Sequence, residues 1–190
     1  MRDPRSFCKI FSNPSDLFNI CFNSENSPCQ TNWFRHIFNF ALAKKSEEVH
    51  KGIVRRNSVW DSLIFWWVRG KVGGNVRLII TGSAPLKGNV VTFLRSALGC
   101  ILVEGYGQTE CVAPSTLTIQ GDPQPDHVGP PLPCNNLKLE DIPDMEYWAN
   151  RGQGEVCVKG ANVMLGYYRS VSSHQERQLY LVISQPGILR

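Results

Sequence analysis

The residues of this chain with the clearest chemical potential form one run, Gly-Tyr-Gly-Gln-Thr-Glu, at 105–110. Its glycines permit close approach between the backbone and another group, and Tyr106 offers an aromatic face on which a planar base can stack. Thr109 supplies a hydroxyl suited to a phosphate oxygen, and Glu110 supplies a carboxylate of the kind that holds Mg²⁺ beside phosphate. The run therefore predicts a nucleotide-binding turn. Taken alone, the same residues also fit an ordinary glycine-rich turn with a surface glutamate that binds no ligand.

Neighbouring segments favour the nucleotide interpretation. Thr-Gly-Ser-Ala-Pro at 81–85 follows an apolar run and predicts a turn that presents backbone groups at the end of a strand. Downstream, Gly-Glu-Val-Cys-Val-Lys-Gly at 154–160 is followed by Asn-Val-Met at 162–164 and Gly-Tyr-Tyr at 166–168. No Gly-Lys-Ser/Thr triplet occurs, so the phosphate-binding loop of that type is excluded.

The residues around the motif predict a strand–helix–strand unit that positions it. Apolar residues at 76–81 indicate a buried strand, those at 89–98 recur with helical spacing, and 100–104 indicate a second strand. Gly99 suits the position just after a helix, because glycine adopts the left-handed conformation without steric cost. Such a unit implies parallel strands, whose ligands bind beyond their carboxyl ends. We therefore expect the turn after the first strand and the run at 105–110 to face one crevice.

Two helices are predicted before this unit. The first begins near Trp33, has apolar residues at i, i+3, i+4 and i+7, and continues through polar residues to about Glu48. The second starts at a cap, Asn57 or Ser58, and ends at the glycine pair 73–74. Its predicted apolar stripe comprises Trp60, Leu63, Ile64 and Trp67.

The two ends of the chain and the region after Ser115 differ in character from this central part. Residues 1–32 are rich in Asn, Ser and Pro and predict an irregular leader. Beyond Ser115, short β-like runs alternate with Pro/Gly turns, which indicates a small, mostly antiparallel β subdomain. The tail, 170–190, passes from polar to apolar residues and predicts no recognisable element. The β-like runs are 115–119, 136–140 and 155–159.

Composition excludes several classes of protein. The 190 residues are 42% hydrophobic and 19% charged, as in a globular domain and not a disordered or collagen-like chain. A net charge of +4 is too small to indicate a nucleic-acid partner, and its positive excess lies in the first 75 residues. Seven scattered cysteines and four isolated histidines predict reduced thiols in a cytosol-facing protein rather than disulfides or a zinc site. We expect neither a signal peptide nor a membrane helix, which needs about 20 apolar residues.

Taken in order, the motifs resemble the adenylate-forming (AMP-binding) superfamily. Within it, Gln108, Cys111 and the stretches 54–61 and 94–100 resemble the animal long-chain fatty acyl-CoA synthetases, also called long-chain-fatty-acid–CoA ligases. The ordered set comprises Thr-Gly-Ser-Ala-Pro (81–85), Glu-Gly-Tyr-Gly-Gln-Thr-Glu-Cys (104–111), His-Val-Gly-Pro-Pro-Leu-Pro (127–133), Gly-Glu-Val-Cys-Val-Lys-Gly (154–160) and Gly-Tyr-Tyr (166–168).

The resemblance implies an α/β fold, a partial adenylate-forming domain with a parallel βαβ portion followed by a small antiparallel β subdomain. It covers residues 33–169, and leaves 1–32 as an unmatched leader and 170–190 as an unmatched tail.

The resemblance also implies a two-step reaction. A fatty-acid carboxylate attacks the α-phosphate of ATP to give acyl-AMP and pyrophosphate, and the thiol of CoA then displaces AMP. Fatty acid, ATP and CoA are the implied substrates and Mg²⁺ the implied metal.

Carried over by position, the resemblance assigns site residues. Thr109 and Glu110 are the expected catalytic residues, with Thr109 at the α-phosphate and Glu110 holding Mg²⁺. Tyr106 stacks on adenine, whereas Gly105 and Gly107 border the acyl carboxylate. The expected nucleotide-binding residues are Ser83, Ala84, Pro85, Tyr106, Gly107, Gln108 and Thr109, of which the first three line the adenine pocket.

The sequence also departs from the superfamily pattern. We find no phosphate loop ending in Pro-Lys-Gly, no membrane-anchoring segment, no Trp-x-x-Thr-Gly-Asp run, no Asp-Arg hinge and no C-terminal lysine motif. We therefore expect an internal fragment or short isoform that is weak or inactive alone. The resemblance implies that the full-length family is membrane-associated, at the endoplasmic reticulum or the mitochondrial outer membrane, and faces the cytosol. We expect this chain to face the cytosol and to lack that family's membrane anchor.

Two other interpretations remain open. In the first, the chain is a non-catalytic module whose basic first part and aromatic residues 65–67 bind a full-length synthetase or a membrane surface. Those aromatic residues could instead pack as core against parts of a longer protein. In the second, the chain comes from a different adenylating enzyme, such as an amino-acid or aryl-acid activator, since acid specificity depends on a pocket largely outside these residues.

Overall fold

The computed structural model describes residues 8–10, 31–82, 86–167 and 178–183, the first and last of these ranges by their backbone. The chain divides into two compact units, Met1–Val103 with Gln120–Asp126, and Glu104–Ile119 with His127–Arg190.

The first unit contains the predicted parallel strand–helix–strand arrangement. Strands β1 and β2 are parallel, with Cys8 opposite Leu78, and β2 neighbours β3. The Ile101 N–H donates to the Arg77 carbonyl at 3.1 Å. The starts of β2 and β3 therefore lie side by side, and the two strands run in the same direction. The elements are β1 (Cys8–Ile10), α1 (Asn32–His50), a π-helical turn (Asp61–Phe65) leading into α2 (Trp66–Lys71), β2 (Leu78–Thr81), α3 (Gly88–Leu98) and the start of β3 (Ile101–Gln108).

Strand β1 lies inside the segment for which an irregular leader is predicted. It comprises only three residues, Cys8–Ile10, which is too short to show strand alternation in the sequence. Its extended conformation comes from pairing with β2, a partner some seventy residues away. The prediction of an irregular leader is therefore wrong for these three residues.

The helices of this unit share one apolar core. Phe38 and Ala41 of α1 and Leu94 and Leu98 of α3 are essentially inaccessible to solvent, and the Phe38 and Phe65 rings meet edge to face at 5.6 Å. Helix α3 ends at Gly99, whose φ of 57° confirms the predicted left-handed residue. Within the described ranges, no helix combines the length and apolar character needed to cross a bilayer.

The predicted second helix is confirmed, but it contains a π turn. Ser58 and Asp61 cap its start reciprocally, the Ser58 N–H donating to Asp61 Oδ2 at 3.0 Å and the Asp61 N–H to Ser58 Oγ at 3.3 Å. The buried face of this helix comprises Asp61, Ile64, Phe65 and Val68, at positions i, i+3, i+4 and i+7. Leu63, predicted to be in the apolar stripe, lies outside this face and is 63% exposed.

A buried ionic network centred on Asp61 joins α1 to this helix. The Asp61 carboxylate accepts from Lys45 Nζ at 3.0 Å and from Arg69 Nη1 at 2.9 Å, and from the Ser58 hydroxyl at 2.6 Å. Lys45 also donates to the Arg55 carbonyl at 2.6 Å. Asp61 and Lys45 are both buried, so each charge depends on the other for compensation.

The network makes stability depend on pH. Burial alone would raise the pKa of Asp61, but hydrogen bonds from Ser58 and Lys45 outweigh burial and hold that pKa below its ordinary value. A carboxyl whose pKa is lower in the folded chain stabilises the fold above its unfolded pKa of about 4. That contribution is lost as pH falls toward the folded pKa.

We predict that Asp61→Asn lowers the free energy of unfolding of the first unit by about 3 kcal/mol, because Lys45 keeps a buried, uncompensated charge. Urea unfolding followed by tryptophan emission measures this, since four of the five tryptophans precede residue 68. The exposed Glu47–Lys51 pair supplies the control Glu47→Gln, with no measurable change expected. The loss of stability below pH about 4 should be weaker in Asp61→Asn than in the natural chain. Equal unfolding midpoints for both variants would contradict a stabilising network.

The second unit contains the predicted small antiparallel sheet. Strand β6 pairs antiparallel with β5 on one side and β7 on the other. Val156 and Val158 of β6 are fully buried in a cluster with Cys111 and Val163. The β7 strand lies in the tail for which no element is predicted. The elements are the rest of β3, a 3₁₀ turn (Thr109–Cys111), β4 (Ala113–Leu117), β5 (Asn135–Glu140), β6 (Gly154–Gly160) and β7 (Gln178–Ile183).

The motif at 105–110 lies in a β-hairpin rather than in a loop after a strand. Strand β3 continues to Gln108, four residues beyond its predicted end at 104, and pairs antiparallel with β4. A bulge follows Tyr106. At Gly107 the two strands approach so closely that a Cβ would lie 1.7 Å from the carbonyl oxygen of Ala113. The close approach that this glycine permits is therefore to the hairpin's own backbone.

We predict that Gly107→Ala destabilises the hairpin by about 3 kcal/mol, roughly 100-fold in the exchange rate of its amides, because backbone must move to admit the methyl group. Hydrogen exchange over residues 105–117 measures the effect.

Gly105→Ala is the matched control in the same strand. A Cβ there would meet the flexible end of Leu117 at 3.3 Å, so a much smaller change is expected. Equal effects of the two substitutions would show that the Gly107–Ala113 approach does not limit the hairpin.

Candidate functional site

The structure places Thr109 and Glu110 together at the tip of the β3–β4 hairpin. Both lie in the 3₁₀ turn, and the Val112 N–H closes the turn on the Thr109 carbonyl at 3.1 Å. Val112 and Ala113 have φ of 56° and 78°, left-handed conformations that are strained for residues with a Cβ. These two residues reverse the chain and leave the Thr109 side chain exposed and that of Glu110 partly exposed.

The Glu110 carboxylate is held by a tyrosine from the segment that follows β6. The Tyr167 hydroxyl donates to Glu110 Oε1, and the Met164 N–H donates to the Glu110 carbonyl at 2.8 Å. The Tyr167 hydrogen bond, with one from the backbone N–H of Glu110, holds the pKa of Glu110 below its usual range. The same bond raises the pKa of Tyr167. At neutral pH the tip therefore presents an ionised carboxylate and a neutral phenol.

Tyr106 is fixed by packing. Its half-buried ring lies against the apolar cluster of Cys111, Val156, Val158 and Val163, and burial, with a smaller contribution from Cys111, raises its pKa to about 12. Among the described residues, neither the Tyr106 hydroxyl nor Gln108 Nε2 has a hydrogen-bond partner, although both atoms are buried. Two buried donors of the motif thus lack the partners that such groups usually have.

The predicted His127–Pro133 motif is joined to strand β4 of the hairpin by backbone hydrogen bonds. The Leu132 N–H donates to the Ser115 carbonyl at 2.9 Å, and the Leu117 N–H to the Pro130 carbonyl at 3.3 Å. Asn135 Nδ2 shares the Ser115 carbonyl at 3.2 Å. This motif is therefore a structural support for β4.

Some predicted site residues lie outside the described residues. Ser83, Ala84 and Pro85, predicted to line an adenine pocket, are among them, and their role stays a prediction. Sequence reasoning missed the contacts of Met164 and Tyr167 with the tip. Their motifs were noted, but a separation of 57 residues between Tyr167 and Glu110 offers no local pattern from which contact could be inferred.

The residues at the tip are compatible with Mg²⁺ shared with a nucleotide. Among the described residues, no group of three His, Cys, Asp or Glu side chains could hold a metal alone. Glu110 offers one ionised carboxylate, and Mg²⁺ is commonly held by one or two carboxylates together with phosphate oxygens and water. The donor set therefore fits a cation that arrives with phosphate, as the sequence predicts.

Comparison with known proteins gives matches along most of the chain. A profile described as AMP-binding enzyme matches residues 8–168. Long-chain-fatty-acid–CoA ligase 1 of Homo sapiens is 48% identical over 160 residues, 84% of this chain and 23% of that protein. Fatty acyl-CoA synthetase A of Dictyostelium discoideum is 35% identical over 145 residues, 75% of this chain and 21% of that protein. A solved O-succinylbenzoate coenzyme A synthetase from Bacillus subtilis matches at 24% identity and a TM-score of 0.46, over 56% of this chain and 23% of that chain.

The profile match includes β1, the β3–β4 hairpin and Tyr167, so it spans the described parts of the candidate site. The chain spans about a quarter of the length of the curated ligases that it matches. By the extent of this match, the chain belongs to the AMP-binding enzyme family.

Proposed function

We propose that this chain forms the nucleotide- and magnesium-binding part of a ligase that converts long-chain fatty acids to acyl-AMP with ATP and then to acyl-CoA. The observation that carries the proposal is the hairpin tip, where the Thr109 hydroxyl and the ionised Glu110 carboxylate are adjacent. Identities of 42–48% to mammalian long-chain-fatty-acid–CoA ligases favour fatty acids over other acids. Alone, the chain is weak or inactive in the complete reaction.

Each step of the proposed reaction develops negative charge on phosphate. The fatty-acid carboxylate forms a bond to the α-phosphorus of ATP as pyrophosphate leaves, and the CoA sulfur later takes the acyl group as AMP leaves. Thr109 would donate its hydroxyl to an α-phosphate oxygen, and Glu110 would hold Mg²⁺. When bound, Mg²⁺ neutralises charge on the phosphate oxygens. Fixed donors and charges of this kind stabilise the transition state electrostatically.

The adenine and the acyl group would contact the strand beside the tip. The Tyr106 ring is packed on one part of its surface against the apolar cluster, which leaves the rest for stacking on adenine. Gln108 Nε2 and the Tyr106 hydroxyl are donors without partners among the described residues. We assign the acyl carboxylate to the backbone at Gly105 and Gly107. The reaction would take place on the cytosolic side of an endoplasmic reticulum or mitochondrial outer membrane.

We predict that the purified chain binds ATP with Mg²⁺, and that Glu110→Gln weakens this binding at least about tenfold, because a neutral amide is a poor Mg²⁺ ligand. Isothermal titration calorimetry measures the affinity. Glu155→Gln, a half-buried glutamate in β6, is the matched control and should bind as the natural chain does.

A second measurement separates binding from chemistry. With a long-chain fatty acid and α-labelled ATP, the chain should form little or no acyl-AMP, since positioning of the triphosphate supplies much of the rate of such reactions. Rapid formation of acyl-AMP, or of acyl-CoA when CoA is added, would overturn the proposal that the chain alone is weak or inactive. Absence of binding to ATP, with or without Mg²⁺, would overturn the nucleotide site.

A second candidate function is suggested by an exposed aromatic face on α1. Trp33, Ile37 and Phe40 are 67%, 42% and 56% exposed at positions i, i+4 and i+7, and therefore share one face of the helix. Lys44 continues this face and lies 5.9 Å from the Phe40 ring centroid. Aromatic and basic residues along one helix face are typical of surfaces that rest on anionic membranes. Such a non-catalytic role would be an alternative to the ligase reaction.

The aromatic residues first considered for that role behave differently. Phe65 is fully buried, Trp67 packs against the core, and Trp66 is 61% exposed. Phe65 and Trp67 therefore contribute to the core of the first unit. Only Trp66, of these three, adds to the exposed apolar surface of the first unit.

If the face binds membranes, we predict that Trp33→Ala with Phe40→Ala lowers co-sedimentation with phosphatidylserine vesicles about tenfold or more, because two rings leave the interface. Ile119→Ala, which truncates an exposed apolar residue of the second unit, is the control. Vesicle binding unaffected by the double substitution would contradict the membrane role. Retention of a full-length synthetase in a pull-down, without vesicle binding, would favour a protein partner instead.

A further inference from the structure

One short segment of the second unit supplies three hydrogen bonds to the hairpin tip. Asn162 Nδ2 donates to the Cys111 carbonyl at 2.7 Å, and the Met164 N–H donates to the Glu110 carbonyl at 2.8 Å. The Tyr167 hydroxyl donates to Glu110 Oε1. Two of these bonds therefore fix the backbone of the turn, and the third fixes a side chain.

The first part of this segment, at Val163, is fixed by packing. Val163 is buried in the cluster that also contains Cys111, Val156 and Val158. Val163 of the segment and Cys111 of the turn thus pack in the same apolar cluster. This packing holds Asn162 and Met164 at hydrogen-bonding distance from the turn.

The last part of this segment, residues 165–167, is largely exposed. Tyr167 is 65% exposed and its neighbour Leu165 is 83% exposed, so neither side chain contributes much to the core. The described contact of Tyr167 with the tip is made through its hydroxyl group. The Tyr167 hydroxyl engages Oε1 of the Glu110 carboxylate, and Glu110 is partly exposed, so the carboxylate is accessible to a cation from solvent.

We propose that Tyr167 is a positioning residue for the magnesium–nucleotide complex, holding the Glu110 carboxylate through Oε1 in the orientation in which it would bind the metal. The inference rests on the proposed function, because it names a further residue of the same site. A glutamate side chain with three rotatable bonds loses conformational freedom when it binds a cation. The Tyr167 hydrogen bond removes part of that freedom before the ligand arrives, which favours binding.

The test is Tyr167→Phe in the full 190-residue chain, with Mg²⁺·ATP as one probe and ATP in excess chelator as the other. We expect Mg²⁺·ATP to bind about three- to tenfold more weakly, and metal-free ATP to bind within about twofold of the natural chain. The thermal unfolding midpoint should not change, because the substituted ring is exposed. Tyr147→Phe, at a half-buried tyrosine of the same unit, is the matched control and should leave both affinities unchanged.

Equal weakening of both probes would show that Tyr167 acts on the nucleotide as a whole, and would overturn the proposal. So would unchanged binding of Mg²⁺·ATP.

A ligand-free measurement separates this inference from the proposed function. In chain labelled with ¹³C at glutamate, relaxation reports the order of the Glu110 side chain, with Glu155 as an internal reference. Tyr167→Phe should lower the order of Glu110 alone. If the natural chain binds no nucleotide but Glu110 loses order in the variant, the nucleotide function fails while the positioning role stands. If Glu110 is equally ordered in both chains, the positioning role fails.

Discussion

The backbone of the candidate site is constrained most tightly where Gly107 approaches the Ala113 carbonyl across the β3–β4 hairpin. It brings the strands together two residues before the turn, so that Thr109 and Glu110 must lie at a narrow tip. The left-handed Val112 and Ala113 complete the reversal. The backbone geometry comes first, and the chemical groups of the motif take their positions from it.

The first unit depends on a polar interaction of another kind. Asp61 lies within an apolar environment and is compensated by Lys45, Arg69 and Ser58. Burying these charges costs free energy that the pairing roughly offsets. What the network contributes is geometry, since it ties α1, the loop before the second helix and the π turn to one carboxylate. Apolar packing alone, being non-directional, would leave the relative rotation of these helices less well defined.

Local patterns in the sequence predicted the elements whose structure is decided locally. Helix α3 with Gly99 at its end, the Ser58 cap and the runs that become β5 and β6 all follow from spacing and capping within a dozen residues. The three residues of β1 are a strand because of a partner about seventy positions away, and a single sequence does not show that partner. The last four residues of β3 pair locally with β4, but the glycines at 105 and 107 favour the interpretation of a turn there.

The same distinction applies to the site. The chemical character of Tyr106, Thr109 and Glu110 could be inferred from residue type. The bond from Tyr167 could not, because it joins residues 57 positions apart. Leu63 is likewise exposed because the buried face of the second helix comprises Asp61, Ile64, Phe65 and Val68, and a pattern of apolar residues does not count the buried Asp61 as part of that face.

Cys111, next to Glu110 in the turn, is fully buried, with Sγ 2.9 Å from Ser115 Oγ and 3.3 Å from the Gln108 carbonyl oxygen. A reagent dissolved in water cannot reach this sulfur while the turn is closed. Its rate of alkylation or oxidation is therefore limited by the rate or extent of local opening. The reactivity of this thiol therefore reports how often the turn opens. Any ligand that holds the turn closed would also protect the cysteine from alkylation and oxidation.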